Sequence, residues 1–478
     1  MCIRDSSDFT QMTIKENLEF LNKLEGPTAI YIIDPLKKQL EALEYIGLSY
    51  LTLNRVTTTL SGGEAQRLKL IRHLNSSLSD LVYIIDEPSV GLHPEDIAKI
   101  NEILKSLKDK GNTVLIVEHD PDVIKEGDYI IDMGPGSGKN GGEITFEGTY
   151  NELLSSNTST GNALRNKHNL KENIRESNHF YNIGPVTQNN LNNVKTSIPK
   201  HVLTVLTGVA GSGKSTLVKA GFENNDHTIF IDQKAVQGSN RSNLLTYLGV
   251  FDSVRSFFSK ETGLNKAMFS YNSKGGCPNC GGKGYIKTEL AFMGDFSQTC
   301  EVCHGKRYKQ EVLDATIDGY SIADVLNLTV DEGIIFFDKK NDIKSKLQSV
   351  SKTGLNYMSL GQPLSTLSGG EIQRVKLAQH LDEEIKNSIF IFDEPTTGLH
   401  ESDIPILMER FDDLIDQNNT VILIEHNLSI MCEADWIIDV GPGPGLDGGK
   451  VQFSGTPKNF IDSSETLTSK HLKRYIKQ

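Results

Sequence analysis

Two stretches of this chain, residues 47–149 and 354–456, carry the same series of short motifs at a constant separation of 307 residues. Leu60-Ser-Gly-Gly-Glu64 recurs as Leu367-Ser-Gly-Gly-Glu371, and the acidic pair of Asp86-Glu-Pro88 recurs in the same way. The repeated unit is far longer than a solenoid repeat, so it predicts a domain duplication. Only the second copy is preceded by a glycine-rich loop, which makes the two copies unequal.

Composition limits the classes of protein that fit the chain. Its 478 residues suggest roughly two to four domains, and its net charge of −13 excludes a general basic field that would attract nucleic acid. A local basic face is still compatible with that charge. The sequence has no apolar run of transmembrane length and no secretory signal pattern, so we expect a cytoplasmic protein without membrane contact.

The order of apolar and polar segments predicts an α/β fold. Leu81–Ile85 and Thr113–Val117 are predicted to be buried strands, and Val202–Leu206 is the predicted strand before the glycine-rich loop. Residues 151–180 are polar and predict a linker or mobile segment. Residues 251–350 interrupt the α/β alternation, and we expect them to form an inserted module with few apolar residues.

The glycine-rich loop fits the pattern of a phosphate-binding loop, with a strand before it and a helix after it. Its glycines allow backbone N–H groups to turn towards phosphate, and the following helix adds its positive N-terminal end. We expect Lys214 to reach the β- and γ-phosphates of ATP and Ser215 to bind Mg²⁺. The predicted nucleotide-binding residues of this segment are Gly208, Gly211, Gly213, Lys214, Ser215 and Thr216.

Acidic and imidazole side chains follow the next predicted strands. Asp393, at the end of an apolar run, is expected to hold Mg²⁺, and the adjacent Glu394 is expected to act as general base on the attacking water. His426 is predicted to contact the γ-phosphate, and Gln233 to contact Mg²⁺ and the water. Each residue alone also fits a helix cap or an ordinary core histidine, but the fixed order of motifs favours catalysis.

Ser-Gly-Gly occurs at a predicted helix start in both copies, at Ser61-Gly62-Gly63 and at Ser368-Gly369-Gly370. Exposed N–H groups at such a helix start can bind an anion, and the serine can cap the helix. For one copy alone, an ordinary N-cap is an equally good interpretation. Two copies at matching distances from the acidic pairs favour nucleotide contact.

Two C-x-x-C pairs predict a zinc site. Cys277, Cys280, Cys300 and Cys303 have the spacing of two knuckles that share one tetrahedral Zn²⁺. Four thiolates fill such a site, so we expect a structural metal without an open position. The same cysteine pattern occurs in chaperone cysteine-rich domains, so the module alone does not identify a family.

Together these motifs resemble the ATP-binding cassette (ABC) superfamily, in which the signature of one half covers the nucleotide held by the other half. Within it, Thr207–Ser215, Gly249–Asp252, Cys300–Tyr308 and Asp86–His93 are similar to the UvrA family of nucleotide excision repair. The resemblance implies α/β P-loop ATPase halves of the ABC type, with helical signature subdomains and an inserted zinc module. It also implies membership of the excinuclease ABC system.

The resemblance divides the chain into three parts. Residues 1–150 correspond to the C-terminal part of the first ABC half, residues 151–180 to a linker, and residues 181–478 to the second half, with the zinc insertion at about 251–350. The UvrB-docking region and the first P-loop of the family are expected to be absent. This predicts an N-terminally truncated protein or a shorter paralogue.

The same correspondence of halves predicts one complete ATP site. Ser61, Gly62 and Gly63 are expected to close the site over the nucleotide held by the loop at 208–215. The remaining motif residues form an orphan half-site without a loop, which consists of Asp86, Glu87, His119, Ser368, Gly369 and Gly370.

The zinc module is also the predicted DNA contact, because in the UvrA family it lies near the DNA-binding surface. A basic cluster lies beside Tyr285 and Tyr308 and is expected to combine phosphate contact with aromatic packing; it consists of Lys283, Lys287, Lys306, Arg307 and Lys309. The candidate DNA contacts are Lys306, Arg307 and Arg241. A solvated charged face is an equally good interpretation of the cluster.

The leading hypothesis is a zinc-containing, UvrA-like ATPase that binds DNA, with a second copy of itself as an expected partner. A UvrB-type protein is a further candidate partner, although its docking region is expected to be absent. A drug-resistance paralogue and a non-hydrolysing DNA- or partner-binding fragment are the alternatives. A transporter or translation-associated ATPase fits the zinc module less well.

Overall fold

The computed structural model describes residues 3–24, 30–57, 60, 62–74, 78–136, 138–166, 169–223, 225–232, 242–290, 294–381 and 385–477. The α-helices of these ranges are α1 (Ile3–Gln11), α2 (Ile14–Leu21), α3 (Ile30–Tyr45), α4 (Gly62–Leu74), α5 (Pro94–Asp109), α6 (Pro121–Ile124), α7 (Tyr150–Ser155), α8 (Ser159–Arg165), α9 (Lys214–Phe222), α10 (Leu244–Tyr247), α11 (Phe251–Thr262), α12 (Gln310–Leu313), α13 (Ile322–Leu326), α14 (Val330–Phe336), α15 (Asn341–Lys352), α16 (Gly369–Leu381), α17 (Ile404–Asp416), α18 (Leu428–Glu433), α19 (Pro457–Ser463) and α20 (Leu467–Lys477). None of these helices is both long enough and apolar enough to cross a membrane.

The β-strands of the same ranges are β1 (Val82–Asp86), β2 (Thr113–Val117), β3 (Ile130–Gly134), β4 (Glu143–Gly148), β5 (Phe180–Gln188), β6 (Leu191–Pro199), β7 (Leu203–Thr207), β8 (Thr228–Ile231), β9 (Tyr285–Leu290), β10 (Gly294–Thr299), β11 (Thr316–Ile317), β12 (Tyr320–Ser321), β13 (Ile389–Asp393), β14 (Thr420–Ile424), β15 (Trp436–Gly441) and β16 (Lys450–Gly455). The chain forms two compact units. Unit 1 comprises Met1–Pro135, Glu143–Asp232 and Ile385–Gln478, and unit 2 comprises Gly136–Gly142 and Gln233–Glu384.

A six-stranded sheet organises the second copy within unit 1. Its strand order is β16-β15-β7-β14-β13-β8, with only the β15–β16 pair antiparallel. All residues of β7 and β14 are buried, and the apolar run Ile389–Phe392 of β13 is buried as well. Parallel strands end at the same edge of a sheet, so the segments that follow β7, β13 and β14 meet there. This edge carries the candidate site.

The corresponding strands of the first copy form two small, exposed sheets. β1 pairs with β2 in parallel, and β3 pairs with β4 antiparallel. In the second copy β7 lies between the equivalent strands, whereas no strand of the described residues joins β2 to β3. Ile84 and Leu115 are therefore 74% and 50% exposed. The prediction that Leu81–Ile85 and Thr113–Val117 are buried strands is wrong for one face of each strand. The other face, with Ile85, Val114 and Ile116, is half-buried against the apolar core of the first copy.

The segment 151–180, predicted to be a linker or a mobile segment, has defined helices and contacts. It contains part of α7 and all of α8, and its later part is held by the buried Asp435. The Lys171 ammonium lies 3.1 Å from Asp435 Oδ1, and the backbone N–H of Arg175 donates to the same oxygen at 2.9 Å. These contacts could not be predicted from the composition of the segment, because the anchoring acid lies far away in the sequence.

Unit 2 has an apolar core of its own, so the expectation of an apolar-poor insertion is wrong. Leu244, Phe258, Phe337, Leu347 and Leu360 are among its buried members. The unit extends over residues 233–384, beyond the predicted 251–350, because α10 and α16 pack into the same core.

Candidate nucleotide site and metal centre

The loop between β7 and α9 has the backbone of a phosphate-binding loop. Gly208 and Gly213 have φ values of 132° and 103°, and a Cβ at Gly208 would collide with the carbonyl oxygen of Val440. Lys214 Nζ donates to the carbonyl oxygens of Gly208 at 2.9 Å and of Val209 at 3.0 Å. Burial lowers the pKa of the Lys214 ammonium to about 8. The loop is thus preformed, and its lysine is placed to exchange carbonyl partners for phosphate oxygens.

Oxygen ligands suited to Mg²⁺ stand beside the loop. Ser215 Oγ donates to Asp393 Oδ1 at 3.3 Å, which joins the start of α9 to the end of β13. Lys219 Nζ lies 3.5 Å from the other oxygen of Asp393. Hydroxyl and carboxylate oxygens are the ligands that Mg²⁺ prefers, so these residues fit the ion. Thr216 Oγ1 accepts a hydrogen bond from Asn189 Nδ2 at 3.2 Å.

Glu394 and His426 face each other at the carboxyl ends of β13 and β14. Glu394 has a left-handed φ of 53°, and its N–H donates to the Ile424 carbonyl at 2.9 Å. Its Oε1 lies 4.0 Å from His426 Nε2. Burial, and then the charge of Asp393, raise the pKa of Glu394 to about 7, while burial holds the pKa of His426 well below its usual value. A more basic carboxylate beside a neutral imidazole suits general-base chemistry.

The first copy reaches the phosphate-binding loop through Tyr50. Its hydroxyl donates to Glu64 Oε1 at 2.5 Å, and a Cβ placed on Gly211 would lie 2.9 Å from the tyrosine ring. Glu64 stands in the first turn of α4, which begins at Gly62 and Gly63. The signature helix of the first copy is therefore tied to the loop of the second.

Sequence reasoning missed Tyr50, although the repeat contains a signal for it. Tyr357 is the equivalent residue in unit 2, where its hydroxyl donates to Glu371 Oε1 at 2.7 Å. Recurrence of a tyrosine that bonds to the signature glutamate marks the pair as part of the repeated architecture.

Gly91 of the first copy was also missed. It has a φ of +66°, and a Cβ there would lie 2.8 Å from Glu394 Oε2. Its equivalent in the second copy is Gly398, which has a φ of +68°. A Cβ placed on Gly398 would lie 3.5 Å from Glu87 Oε1. Each copy thus places a glycine against the glutamate of the other.

The first copy brings its own acidic pair and histidine together. Asp86 ends β1, and Glu87 has a left-handed φ of 45° with its N–H donating to Val117 O at 2.8 Å. His119 Nε2 lies 3.4 Å from Glu87 Oε1, and hydrogen bonding to Glu87 raises the pKa of the imidazole. The geometry of Glu394 and His426 is thus repeated here.

The second signature lies in unit 2. Gly369 and Gly370 begin α16, and the exposed Ser368 precedes them. The N–H of Ser368 donates to Glu371 Oε2 at 2.8 Å, and the N–H of Glu371 donates back to Ser368 Oγ at 3.2 Å. This reciprocal pairing is a capping box. Three predicted site residues, Ser61, Gln233 and Arg241, lie outside the described residues.

Four buried thiols form the candidate metal centre. The Sγ atoms of Cys277, Cys280, Cys300 and Cys303 all lie within 4.8 Å of one another. Tetrahedral Zn²⁺ with Zn–S bonds of about 2.3 Å places its sulfurs about 3.8 Å apart. The Cys277–Cys300 and Cys280–Cys303 separations are 4.0 and 3.7 Å, so the set fits zinc. Asn279 Nδ2 donates to Cys300 Sγ, which lowers the pKa of that thiol to about 6.

The basic cluster beside the cysteines is partly paired within unit 2. Lys306 Nζ lies 3.7 Å from Asp324, and the Arg307 guanidinium stands 5.4 Å from the centre of the Tyr271 ring. Tyr308 is only 1% exposed. The prediction that Tyr308 contributes to nucleic-acid contact is therefore wrong, because its ring belongs to the core.

Comparison with known proteins gives consistent results. The family model described as ABC transporter matches residues 191–397. UvrABC system protein A of Clostridium perfringens is 43% identical over 98% of this chain, and that of Bacillus subtilis is 41% identical over 99%. The crystal structure of UvrA2 from Deinococcus radiodurans has a TM-score of 0.92 and 37% identity, and the match covers 98% of this chain and 63% of that one. The chain spans about half the length of the curated relatives, since 54% of each is covered.

Proposed function

The chain belongs to the UvrA family of ABC-type proteins, and on that basis we propose that it is an ATPase of nucleotide excision repair. In this proposal, ATP binding and hydrolysis are coupled to the recognition of damaged DNA. The observation that carries the proposal is the meeting of Lys214, Asp393, Glu394 and His426 at one edge of the sheet, with Tyr50 of the first copy against the loop.

Each residue of this edge has a proposed role in binding. The N–H groups of the loop around Gly208, Gly211 and Gly213, with the Lys214 ammonium, hold the β- and γ-phosphates. Ser215 and Asp393 bind Mg²⁺, which neutralises phosphate charge. The signature residues Ser61, Gly62 and Gly63 close over the γ-phosphate. Gln233 contacts Mg²⁺ and the attacking water, and Thr216 is a further nucleotide-binding residue of the loop.

Hydrolysis follows from the chemistry of Glu394 and His426. Glu394 accepts a proton from a water whose oxygen attacks the γ-phosphorus, and the bond from that phosphorus to ADP breaks. The raised pKa of Glu394 makes its carboxylate a better proton acceptor. His426, kept neutral by burial, can donate one ring N–H to the γ-phosphate. Lys214 balances the charge that develops.

The zinc centre and the partners are parts of the same proposal. Cys277, Cys280, Cys300 and Cys303 hold a structural Zn²⁺ that fixes the loops carrying Lys306 and Arg307. Those two residues, together with Arg241, contact DNA phosphates. A UvrB-type protein and a second copy of the chain are the further partners that family membership suggests.

A Glu394→Gln substitution tests the proposal. The amide keeps the size of the side chain but cannot take a proton, so phosphate release should fall at least about 100-fold. Binding of a fluorescent ATP analogue should stay within about threefold. Glu409→Gln, at an exposed position on α17, serves as the matched control and should keep the wild-type rate. Wild-type turnover by the Glu394 variant would exclude the assigned base, and a wild-type chain that binds ATP without hydrolysing it would instead support the non-hydrolysing alternative.

A further inference from the structure

Unit 1 contains the same hydrogen-bonded triplet twice, which we call the His–Thr–Asp clamp. In the clamp near Glu394, His93 Nε2 lies 3.0 Å from Thr468 Oγ1, and Thr468 Oγ1 donates to Asp439 Oδ1 at 3.3 Å. All three residues are at most 2% exposed. This clamp therefore joins His93 of the first copy to Thr468 on α20 and to Asp439 on β15 of the second copy.

The other clamp is built from His400, Thr160 and Asp132. His400 Nε2 lies 3.0 Å from Thr160 Oγ1, which donates to Asp132 Oδ1 at 2.7 Å. The two histidines and the two aspartates are each separated by 307 residues, but the threonines are separated by 308. The same hydrogen bonds form although the threonines are offset by one residue, so the constant spacing of the repeat does not by itself account for the clamp.

In the clamp of His93, Thr468 and Asp439, the N-cap of α5 fixes the direction of the hydrogen bonds. The N–H of Glu95 donates to His93 Nδ1 at 3.2 Å, so Nδ1 carries no proton. Nε2 of the neutral ring is then protonated and donates to Thr468, whose own hydroxyl proton goes to Asp439. Burial lowers the pKa of His93 to about 3, which keeps the ring neutral. The Thr468 hydroxyl thus joins the two partners by accepting from one and donating to the other.

Each clamp holds its histidine against the histidine of the neighbouring candidate half-site. The ring centroids of His93 and His426 are 5.9 Å apart with the planes at 87°, and those of His400 and His119 are 6.2 Å apart at 85°. His426 Nδ1 is buried and has no hydrogen-bond partner among the described residues. Packing, including the edge-to-face contact with His93, therefore sets the orientation of the His426 ring.

A second contact attaches α20 to the same place. His471 Nε2 lies 3.0 Å from Glu95 Oε2, and the His471 ring stands 5.8 Å from the His93 ring. The helix α20 is thus tied through Thr468 to His93, the N-cap of α5, and through His471 to the first turn of α5.

We propose that Thr468 is a positioning residue for ATP hydrolysis, which acts through His93 to fix the ring of His426 beside Glu394. The inference rests on the proposed function. Thr468 and His93 are assigned no contact with the nucleotide, and each acts on the reaction through the orientation of His426. The clamp at Thr160 acts on His119, beside which the described residues provide no phosphate-binding loop.

Valine and serine substitutions separate positioning from general stability. Thr468→Val keeps the shape and removes the hydroxyl, so kcat should fall on the order of tenfold or more at an unchanged KM for ATP. Thr468→Ser restores the hydroxyl and should keep kcat within about threefold. Thr160→Val removes the equivalent hydrogen bonds at the other clamp and should leave kcat near the wild-type value. Wild-type kcat in Thr468→Val, or equal losses in both valine variants, would overturn the positioning role.

NMR of the histidine side chains tests the clamp without requiring ATP hydrolysis. In spectra of chain labelled with ¹⁵N-histidine, the His93 Nε2–H proton should be protected and should shift in Thr468→Val but not in Thr160→Val. An unchanged His93 signal in Thr468→Val excludes the clamp. Absence of ATP hydrolysis in the wild type, with the expected histidine shifts, would overturn the role in hydrolysis and the proposed function while retaining the clamp geometry.

Discussion

At the scale of single residues, the copies act on each other through side chains and glycines that flank the motifs. His93 and Gly91 both follow the first acidic pair, yet they contact His426 and Glu394 of the second copy. Such contacts join residues that are more than 300 positions apart, so their short-range sequence context contains no signal for them. Lys214 belongs to a local motif, and its place in the site could be predicted from sequence.

The burial of His93 predicts how stability depends on pH. Its folded pKa of about 3 lies below the unfolded value of 6.5, so the unfolded chain binds the proton first as pH falls. The free energy of unfolding should therefore decrease between about pH 6.5 and about pH 3, with this residue contributing a slope that approaches about 1.4 kcal/mol per pH unit. Above about pH 7 the contribution is complete and constant.

His93→Asn removes this proton equilibrium, and asparagine is also a good N-cap. The unfolding free energy of the variant should fall less steeply below about pH 6.5 and run parallel to the wild type above about pH 7. Urea unfolding followed by the fluorescence of Trp436, the single tryptophan, measures the transition in unit 1. Equal slopes for both proteins in the acidic range would show that His93 is accessible to protons in the fold.

Gly91→Ala should impair hydrolysis. The added Cβ would lie 2.8 Å from Glu394 Oε2, so the carboxylate must move, and kcat should fall about tenfold or more. Gly249→Ala is the matched control, because Gly249 has a similar φ of +74° and a Cβ there would have no atom of the described residues within 4 Å. Both variants carry backbone strain, but only Gly91→Ala should change kcat; equal kcat values would show that Glu394 tolerates the displacement.

At the scale of elements, the sequence predicts strands and helices better than it predicts their surroundings. β2 was predicted with its observed bounds, Thr113–Val117, because β-branched and apolar residues favour a strand wherever it lies. Its burial was predicted wrongly, since burial depends on the neighbouring strand and not on the strand's own residues. The anchoring of Lys171 and Arg175 escaped prediction for the same reason.

The candidate metal centre of unit 2 allows the proposed zinc to be tested through its cysteine ligands. Cys300→Ser should reduce bound zinc from about one ion per chain to a small fraction and lower the thermal stability of unit 2, because metal binding supplies folding free energy. Metal analysis by mass spectrometry after gel filtration measures the loss. Cys432→Ser, at a buried cysteine of unit 1, should retain zinc. Full zinc content in Cys300→Ser would mean that three thiols and another ligand suffice.

At the scale of the whole molecule, the duplication provides matched positions in opposite environments. Ile84 and Ile391 are equivalent residues of β1 and β13, but Ile84 is 74% exposed and Ile391 is 1% exposed. The exposed apolar faces of β1 and β2 favour association with other chains, because such faces and the strand edges beside them are ready surfaces for pairing.

Threonine substitutions at these two positions should therefore change the free energy of unfolding by very different amounts. Ile391→Thr removes a buried methyl-rich surface and places a hydroxyl in the core, which should lower the unfolding free energy by about 2–4 kcal/mol. Ile84→Thr should change it by less than about 0.5 kcal/mol and reduce self-association measured by light scattering. A large loss of stability in Ile84→Thr would show that this face is covered in solution.

The connection between the copies has a mechanical consequence. One oxygen of Asp435 binds Lys171 and the N–H of Arg175, and the other accepts the N–H of Leu203 at 2.9 Å. Leu203 is the first residue of β7, the strand that ends at the phosphate-binding loop. Tension applied at Lys171 or Arg175 can therefore reach the start of that strand directly through the Asp435 carboxylate, without passing along the chain that lies between them.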